Sequence, residues 1–106
     1  MSRRSGEGWH GEVQGKAPVQ GCGRVDGHPW YFRARGADWS MEIADDCGID
    51  PEDLPLVGPD CPGWRVEEPW GAAFSAGFMP EDEAWALVER CIARLRRGEL
   101  PRPGSR

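Results

Sequence analysis

The sequence lacks the apolar segments by which a chain enters or crosses a membrane. None of its apolar runs approaches the roughly 18 residues that a transmembrane helix needs, and 29% of its residues are charged. Arg3 and Arg4 stand near the start, but no apolar segment follows them as a signal peptide requires. The sequence therefore predicts a soluble protein that stays in the cytoplasm.

Metal and cofactor motifs are also missing. The four cysteines, Cys22, Cys47, Cys61 and Cys91, are irregularly spaced and form no C-x-x-C pair, whereas zinc sites usually take two ligands from one tight turn. There is neither a phosphate-binding P-loop nor a G-x-G-x-x-G stretch. We therefore predict no metal and no cofactor, and reduced thiols in the cytoplasm. A Cys47–Cys61 disulfide is the alternative that the spacing leaves open.

Groups suited to catalysis are few and scattered. The only histidines are His10, near the N-terminus, and His28, beside a predicted hairpin turn, and we expect both to be exposed. Ser40 does not stand in a G-x-S-x-G nucleophile elbow. Glu67 and Glu68 are adjacent, and a strand directs adjacent side chains to opposite faces. We predict that the protein is not an enzyme, because an active site would need a cleft that joins His28 or the cysteines to carboxylates.

The segment from residue 20 to residue 46 carries the clearest structural pattern, three strands joined by two tight turns. Asp26-Gly27 favours a type I′ turn between strands at 21–25 and 29–35. Gly36-Ala37 suits a type II′ turn, which needs glycine first, and leads into a strand at 38–44. Alternation of apolar and polar residues predicts the register, because a slip by one residue would separate the apolar faces. The predicted pairs are Ala34–Trp39, Phe32–Met41 and Trp30–Ile43, with Arg35–Asp38 and Tyr31–Glu42 on the opposite face.

A helix is predicted near the C-terminus. Pro80 suits the first helical position, acidic residues at 81–83 suit the first turn, and Gly98 suits the end. Its apolar stripe should cover the sheet, and consists of Ala84, Leu87, Val88, Cys91, Ile92 and Leu95.

These elements predict an α+β fold, an antiparallel meander of four to five strands packed on one C-terminal helix. The fourth strand is predicted at 64–68, and 73–78 is a short fifth strand or an extended approach to the helix. The length of 106 residues fits one domain. We place this domain at 9–97, between disordered tails at 1–8 and 98–106.

Charge is distributed unevenly along the chain. The segment from Asp38 to Glu83 has thirteen acidic residues and one basic residue, a net charge of −12, so the rest carries +7. One interpretation is a solvated acidic rim that keeps the protein soluble. The other is a surface complementary to a basic groove on another protein, where it would compete with nucleic acid. The candidate partner-binding residues are Asp45, Asp46, Asp50, Glu52, Asp53, Asp60, Glu67 and Glu68, together with Tyr31 and Arg33.

Nucleic acid is an alternative partner. Tyr31, Arg33 and Arg35 are predicted to share one sheet face, in the manner of proteins that stack single-stranded bases. A net charge of −5 disfavours this function, because such proteins need a basic surface. A nucleic-acid-binding regulator and a generic protein-interaction module both stay open as alternatives.

The stretch D-G-H-P-W-Y-F-R-A-R, residues 26–35, precedes Trp39-Ser40-Met41-Glu42 and a helix with an acidic start. Over residues 20–97 the chain resembles a family of small uncharacterised proteins encoded in bacterial and prophage genomes. Its size, acidity and lack of catalytic motifs are similar to those of anti-CRISPR proteins, phage-encoded inhibitors that often bind the DNA-recognition surface of a CRISPR effector. The resemblance implies no active site. It implies a DNA-mimicking inhibitor whose acidic surface blocks a nucleic-acid-binding face.

Overall fold

The computed structural model describes residues 2–16, 18–51, 57, 62–71 and 75–102. Within these ranges the chain forms a sheet of six strands, followed by a 3-10 turn and one α-helix. The elements are β1 (Ser2–Gly6), β2 (Trp9–Gln14), β3 (Val19–Val25), β4 (His28–Arg35), β5 (Asp38–Ala44), β6 (Gly63–Pro69), the 3-10 turn at Ala76–Phe78, and α1 (Glu81–Arg96).

The strands pair antiparallel in the order in which they follow one another along the chain. The α+β meander with a C-terminal helix is therefore confirmed, and the described sheet has six strands instead of four to five. β6 extends the predicted 64–68 strand by one residue at each end. Of the predicted segment 73–78, Ala76–Phe78 form a 3-10 turn and no strand, and residues 73–74 lie outside the described ranges.

Two further strands come from the N-terminal segment, where we predicted a disordered tail over residues 1–8. Instead, β1 pairs with β2 from Ser2–Val13 to Gly6–Trp9. Arg4 also forms ion pairs of 3.3 Å with both Asp82 and Glu89 of α1. Backbone pairing and polar contacts hold β1 in place, and they require no apolar alternation in the sequence. The prediction failed because that alternation was the signal used to identify strands.

The predicted β4–β5 register is correct at every pair, from Trp30–Ile43 to Arg35–Asp38. Asp26 and Gly27 have φ values of 51° and 85°, the two positive angles that a type I′ turn requires. Gly36 has a φ of 62°, whereas the φ of Ala37 is not positive. This combination of backbone angles fits the predicted type II′ turn. Both turns therefore depend on local residue chemistry.

The core lies between α1 and one face of the sheet. Trp30, Phe32, Trp39 and Met41 are at most 2% exposed. From α1, the predicted residues Ala84, Val88, Cys91 and Ile92 are buried, while Leu87 and Leu95 are partly buried. The predicted stripe omitted Trp85, which is 1% exposed and packs against Trp9 and Trp30 at ring distances of 6.0 and 6.3 Å. Its spacing from Val88 and Ile92 is helical, so the pattern contained the signal.

The ends of α1 follow the expected chemistry with a shift of one residue. Pro80 is the N-cap, not the first helical residue as predicted, and its ψ of 145° is extended. Gly98 has a φ of 70° and ends the helix as predicted. Its N–H donates to the Leu95 carbonyl at 3.0 Å, and the Glu99 N–H donates to Arg94 at 2.9 Å, the pair of bonds that defines a Schellman cap. No helix in the described ranges is long and apolar enough to span a membrane.

The segment after α1 was predicted to be a disordered tail over 98–106. Instead, residues 98–102 pack along β6. Leu100 is 8% exposed, and the Arg65 N–H donates to the Pro101 carbonyl at 3.0 Å. Arg102 pairs with Asp45 at 2.9 Å and lies 4.4 Å from the centre of the Trp64 ring. Leu100 and Arg102 therefore hold this segment in place, although its sequence has no periodic pattern that would predict an ordered element. Residues 103–106 lie outside the described ranges.

Candidate functional site

The face of the sheet opposite α1 is the candidate binding surface, here called the outer face. It is formed by the side chains that alternate with the core residues along each strand. Its polar members are Arg3, Ser5, His10, Glu12, Gln14, Gln20, Cys22, Arg24, Tyr31, Arg33, Arg35, Asp38, Ser40, Glu42, Arg65 and Glu67. The register places Tyr31 and Arg33 on this face together, as predicted.

Three adjoining depressions run across the outer face. The first has a volume of about 520 Å³ and lies over β1–β3. The second, about 320 Å³, shares Glu12 and Cys22 with the first. The third, about 240 Å³, shares Tyr31 with the second and extends to Arg65 and Glu67 of β6. Together they form one groove from β1 to β6, which we name the outer groove.

A loop of residues 45–51, the wall loop, borders the middle of this groove. Arg24 fixes the loop to β3, since its guanidinium donates to the carbonyls of Cys47 at 2.9 Å and Ile49 at 3.3 Å. Within the loop, the Asp46 carboxylate accepts from the Gly48 N–H at 2.8 Å. Pro51 then lines the second depression beside Tyr31. The wall loop therefore meets the groove at Pro51, and Asp46 and Asp50 are exposed on the same loop.

Folding changes the charge pattern that the sequence suggested. Asp45 pairs with Arg102 at 2.9 Å, Glu67 with Arg65 at 3.2 Å, and Glu68 with Arg90 at 3.1 Å. Glu67 lines the outer groove while Glu68 reaches α1, so these neighbours do face opposite sides. Three further candidates, Glu52, Asp53 and Asp60, lie outside the described residues. Arg102 and Arg90, which are distant in sequence, therefore offset Asp45 and Glu68, while Arg65 of the same segment offsets Glu67.

Glu42 is a buried carboxylate in the third depression, which we name the Glu42 cavity. It is 5% exposed, and its Oε1 lies 3.3 Å from Nε of Arg65. Its Oε2 has no hydrogen-bond partner among the described residues. Burial raises the pKa of Glu42, and the charge of Arg65 opposes that shift. Sequence analysis placed Glu42 opposite Tyr31 but missed its burial, because Arg65 reaches it from a strand that is distant in sequence.

Tyr31 and Arg33 stand beside this carboxylate. Burial raises the pKa of Tyr31, and the charge of Glu42 adds to that shift while Arg33 opposes it. Nε of Arg33 is inaccessible to solvent and has no hydrogen-bond partner within the described ranges. The Glu42 cavity is thus lined by the Tyr31 ring, by one buried acceptor, Oε2 of Glu42, and by two buried donors, Nε of Arg33 and Nε of Arg65.

The structure also brings His28 and Cys47 together, the kind of pairing that an enzyme would need. His28 Nδ1 lies 3.1 Å from the Ala44 carbonyl oxygen and 3.6 Å from Cys47 Sγ. A carbonyl oxygen only accepts, so this contact assigns the proton to Nδ1 and leaves that atom unable to take one from the thiol. His28 is half-buried against Trp64, not exposed as expected, whereas His10 is exposed. The Cys47 thiol is free, and Cys61, the other half of the alternative disulfide, lies outside the described residues.

The site holds polar groups suited to recognition. In the part of the chain that the structure describes, no group of three or more histidine, cysteine or acidic side chains is arranged to hold a metal ion. The outer groove instead combines arginines, carboxylates and one tyrosine, with the wall loop at its border. Comparison with family models, curated proteins and solved structures finds no match for this chain.

Proposed function

We propose that this protein is a non-enzymatic inhibitor of phage or mobile-element origin, of the anti-CRISPR kind, that binds its partner through the outer groove and the wall loop. The observation that carries the proposal is the position of the groove. It crosses the face opposite α1 from Arg3 in β1 to Glu67 in β6. A concave surface of this extent offers a partner protein a continuous contact area.

The border of the groove supports a partner with a basic surface. Asp46 and Asp50 of the wall loop are exposed, and the Glu67 side chain is 55% exposed at the β6 end. Exposed charges at the rim of an interface accelerate association and select partners of opposite charge. A nucleic-acid-binding face of a CRISPR effector has that charge, because it must hold phosphates.

The centre of the groove supports a protein contact by its composition. Tyr31 is half-buried, with a polar tip on an apolar ring, and Arg33 lies beside it. Tyrosine and arginine are the residue types, with tryptophan, that most often dominate binding energy at protein interfaces. In this proposal the acidic border steers the partner, and the residues around Tyr31 supply most of the affinity.

Nucleic acid is the second candidate partner, because Arg33 and Arg35 line the same depression as Tyr31 and neither forms an ion pair with a described carboxylate. The neighbouring carboxylates argue against it. Glu12, Glu42 and Glu67 line the same groove and would repel phosphates. A shift assay with single-stranded and duplex probes at low salt discriminates between the two. Retention of a probe that Arg33→Ala abolishes would favour nucleic acid over a protein partner.

The inhibitor proposal is tested by adding the purified protein to CRISPR effectors bound to target DNA. We expect loss of DNA binding by a susceptible effector, and we expect Asp46→Lys with Asp50→Lys to weaken this inhibition by about tenfold. The matched control reverses two charges away from the groove, with Glu83→Lys in α1 and Glu99→Lys just after it, and should inhibit like wild type. The proposal is overturned if no effector in a panel covering the CRISPR types is bound or inhibited.

A further inference from the structure

The second depression of the outer groove, which we name the Glu12 pocket, differs from its neighbours in charge. Glu12 is the one charged side chain among the described residues that line it. By contrast, two arginines line the first depression and three line the third. The middle of the groove therefore offers a carboxylate with no basic side chain in the described lining, in a space of about 320 Å³ that has room for one long side chain.

The strand register places the Glu12 carboxylate and the Tyr31 ring on either side of β3. Cys22 of β3 pairs with Glu12 of β2 on one side and with Tyr31 of β4 on the other. Two strand spacings, about 9–10 Å, therefore separate the backbone positions of Glu12 and Tyr31. A flat cation that lies above Cys22 is then within about 6 Å of the ring, the range of a cation–π interaction, and within reach of the carboxylate.

The groups of the Glu12 pocket are accessible to an occupant. The Glu12 side chain is 36% exposed, and its ion pair with Arg3 uses one oxygen, Oε2, at 3.4 Å. Arg3 itself is 79% exposed, so water screens this pair and makes it weak. Tyr31 is half-buried and lines the pocket together with Gln20 and Pro51. A cation from a partner therefore reaches both the carboxylate and the ring without displacing a strong contact.

We propose that the Glu12 pocket receives an arginine side chain of the partner protein. The guanidinium donates to the Glu12 carboxylate and stacks on the Tyr31 ring. The side-chain amide oxygens of Gln14 and Gln20, which line the same pocket, accept from its remaining N–H groups. A guanidinium is planar and more weakly hydrated than an ammonium group, so arginine fits this combination better than lysine does. The pocket rests on the proposed function, because a phosphate-binding face presents arginines to whatever docks on it.

The pocket is tested on the isolated protein by NMR, with three blocked amino acids as probes. N-acetyl-argininamide is compared with N-acetyl-lysinamide and with N-acetyl-citrullinamide, a neutral molecule of nearly the same shape as the arginine probe. The backbone amides of Glu12, Cys22 and Tyr31 are followed during each titration at constant ionic strength. We expect saturable shifts with the arginine probe at millimolar concentration, about tenfold weaker binding of the citrulline probe, and intermediate binding of the lysine probe.

Substitutions separate the contributions of the carboxylate and the ring. Glu12→Gln removes the charge with little change of shape and should weaken binding of the arginine probe by about tenfold. Tyr31→Leu removes the ring face and should weaken binding about threefold, whereas Tyr31→Phe keeps the ring and should retain most of the affinity. Glu83→Gln is the matched control, since Glu83 is exposed on α1 at the other side of the sheet, and it should leave binding unchanged.

Arg3 provides a test of opposite sign. Its ion pair with Glu12 competes with the arginine of the partner, so Arg3→Ala should strengthen binding of the arginine probe about threefold. The proposal is overturned if Arg3→Ala weakens binding, if the citrulline or lysine probe binds as tightly as the arginine probe, or if no probe saturates the signals. A dimer of the isolated protein that Glu12→Gln dissociates would also overturn it, because the occupant would then be a second copy of this chain.

The experiment also distinguishes the pocket from the function on which it rests. Binding of the arginine probe needs no effector, so saturation without inhibition of any effector would retain the pocket and remove the inhibitor proposal. Inhibition of an effector by a protein that does not bind the arginine probe would retain the inhibitor and overturn the pocket.

Discussion

The indole of Trp85 in α1 donates a hydrogen bond from Nε1 to the Ser2 hydroxyl in β1, at 2.8 Å. Arg4 of the same strand lies over the Trp85 ring, 5.6 Å from its centre. The two contacts join residues at opposite ends of the chain. They attach the N-terminal hairpin to the helix and close one side of the core.

Replacement of Ser2 by alanine should lower the free energy of unfolding by about 1 kcal/mol, because the buried indole N–H loses its acceptor. Urea unfolding followed by tryptophan fluorescence measures this change. Ser5→Ala is the matched control, since Ser5 is exposed in the same strand and should leave stability unchanged. Equal effects of the two substitutions would contradict a specific role for the Ser2–Trp85 bond.

Glu42 should make stability depend on pH in a direction opposite to that of most carboxyl groups. Its pKa is raised in the folded protein above the ordinary value of 4.5, mainly by burial. Between those two values the folded state holds a proton that the unfolded state has released. Stability therefore falls as pH rises through this window, and the penalty is fully present above it.

Glu42→Gln removes this titration, while Arg65 keeps its ion pair with Glu67. We expect the stability of this variant relative to wild type to increase from acidic to neutral pH. Urea unfolding at a series of pH values measures the difference, with Glu12→Gln as the control. Parallel stability curves for wild type and Glu42→Gln would refute the assignment.

The cysteines should differ in reactivity within the native protein. Cys91 is 0% exposed, and burial raises its pKa to about 12. Cys47 is exposed on the wall loop. A thiol reagent should therefore modify Cys47 in the native protein and Cys91 only after unfolding, because the thiolate is the reactive form. Mass spectrometry of the peptides identifies the modified sites, and native modification of Cys91 at the rate of Cys47 would contradict the core packing.

Replacement of Arg24 by alanine should release the wall loop without unfolding the sheet. The Gly27, Cys47 and Ile49 carbonyls would lose the guanidinium that joins them to β3. Amide hydrogen exchange at residues 46–50 should accelerate several-fold, whereas exchange in β4 should stay slow. Arg35→Ala, on the same face but away from the loop, should leave both unchanged. Unaltered exchange in the Arg24 variant would indicate that other contacts hold the loop.

The parts of the fold that sequence analysis predicted are those with local causes. The β4–β5 register follows from alternating large apolar side chains and from turn dipeptides whose backbone angles few other residues adopt. β1 has neither signal, since its sequence SRRSG is polar throughout. Its position depends on Trp85 and on the edge of β2, which no local pattern reveals.

The same distinction between local causes and distant contacts applies to the residues of the candidate site. Tyr31 and Arg33 were identified because strand periodicity alone places them on one face. The burial of Glu42 depends on β6, which lies beyond a long loop, and the pairing of Glu68 and Asp45 depends on Arg90 and Arg102. Charge counted along a chain differs from charge on a surface whenever tertiary contacts bring opposite charges together.

The sequential strand order has a consequence for the kinetics of folding. Each strand pairs with its neighbour along the chain, so the sheet can grow from the β3–β4–β5 hairpins without closing long loops. The docking of β1 and α1 joins the most distant segments and should follow. Weakening the Ser2–Trp85 bond should therefore accelerate unfolding and leave the folding rate nearly unchanged.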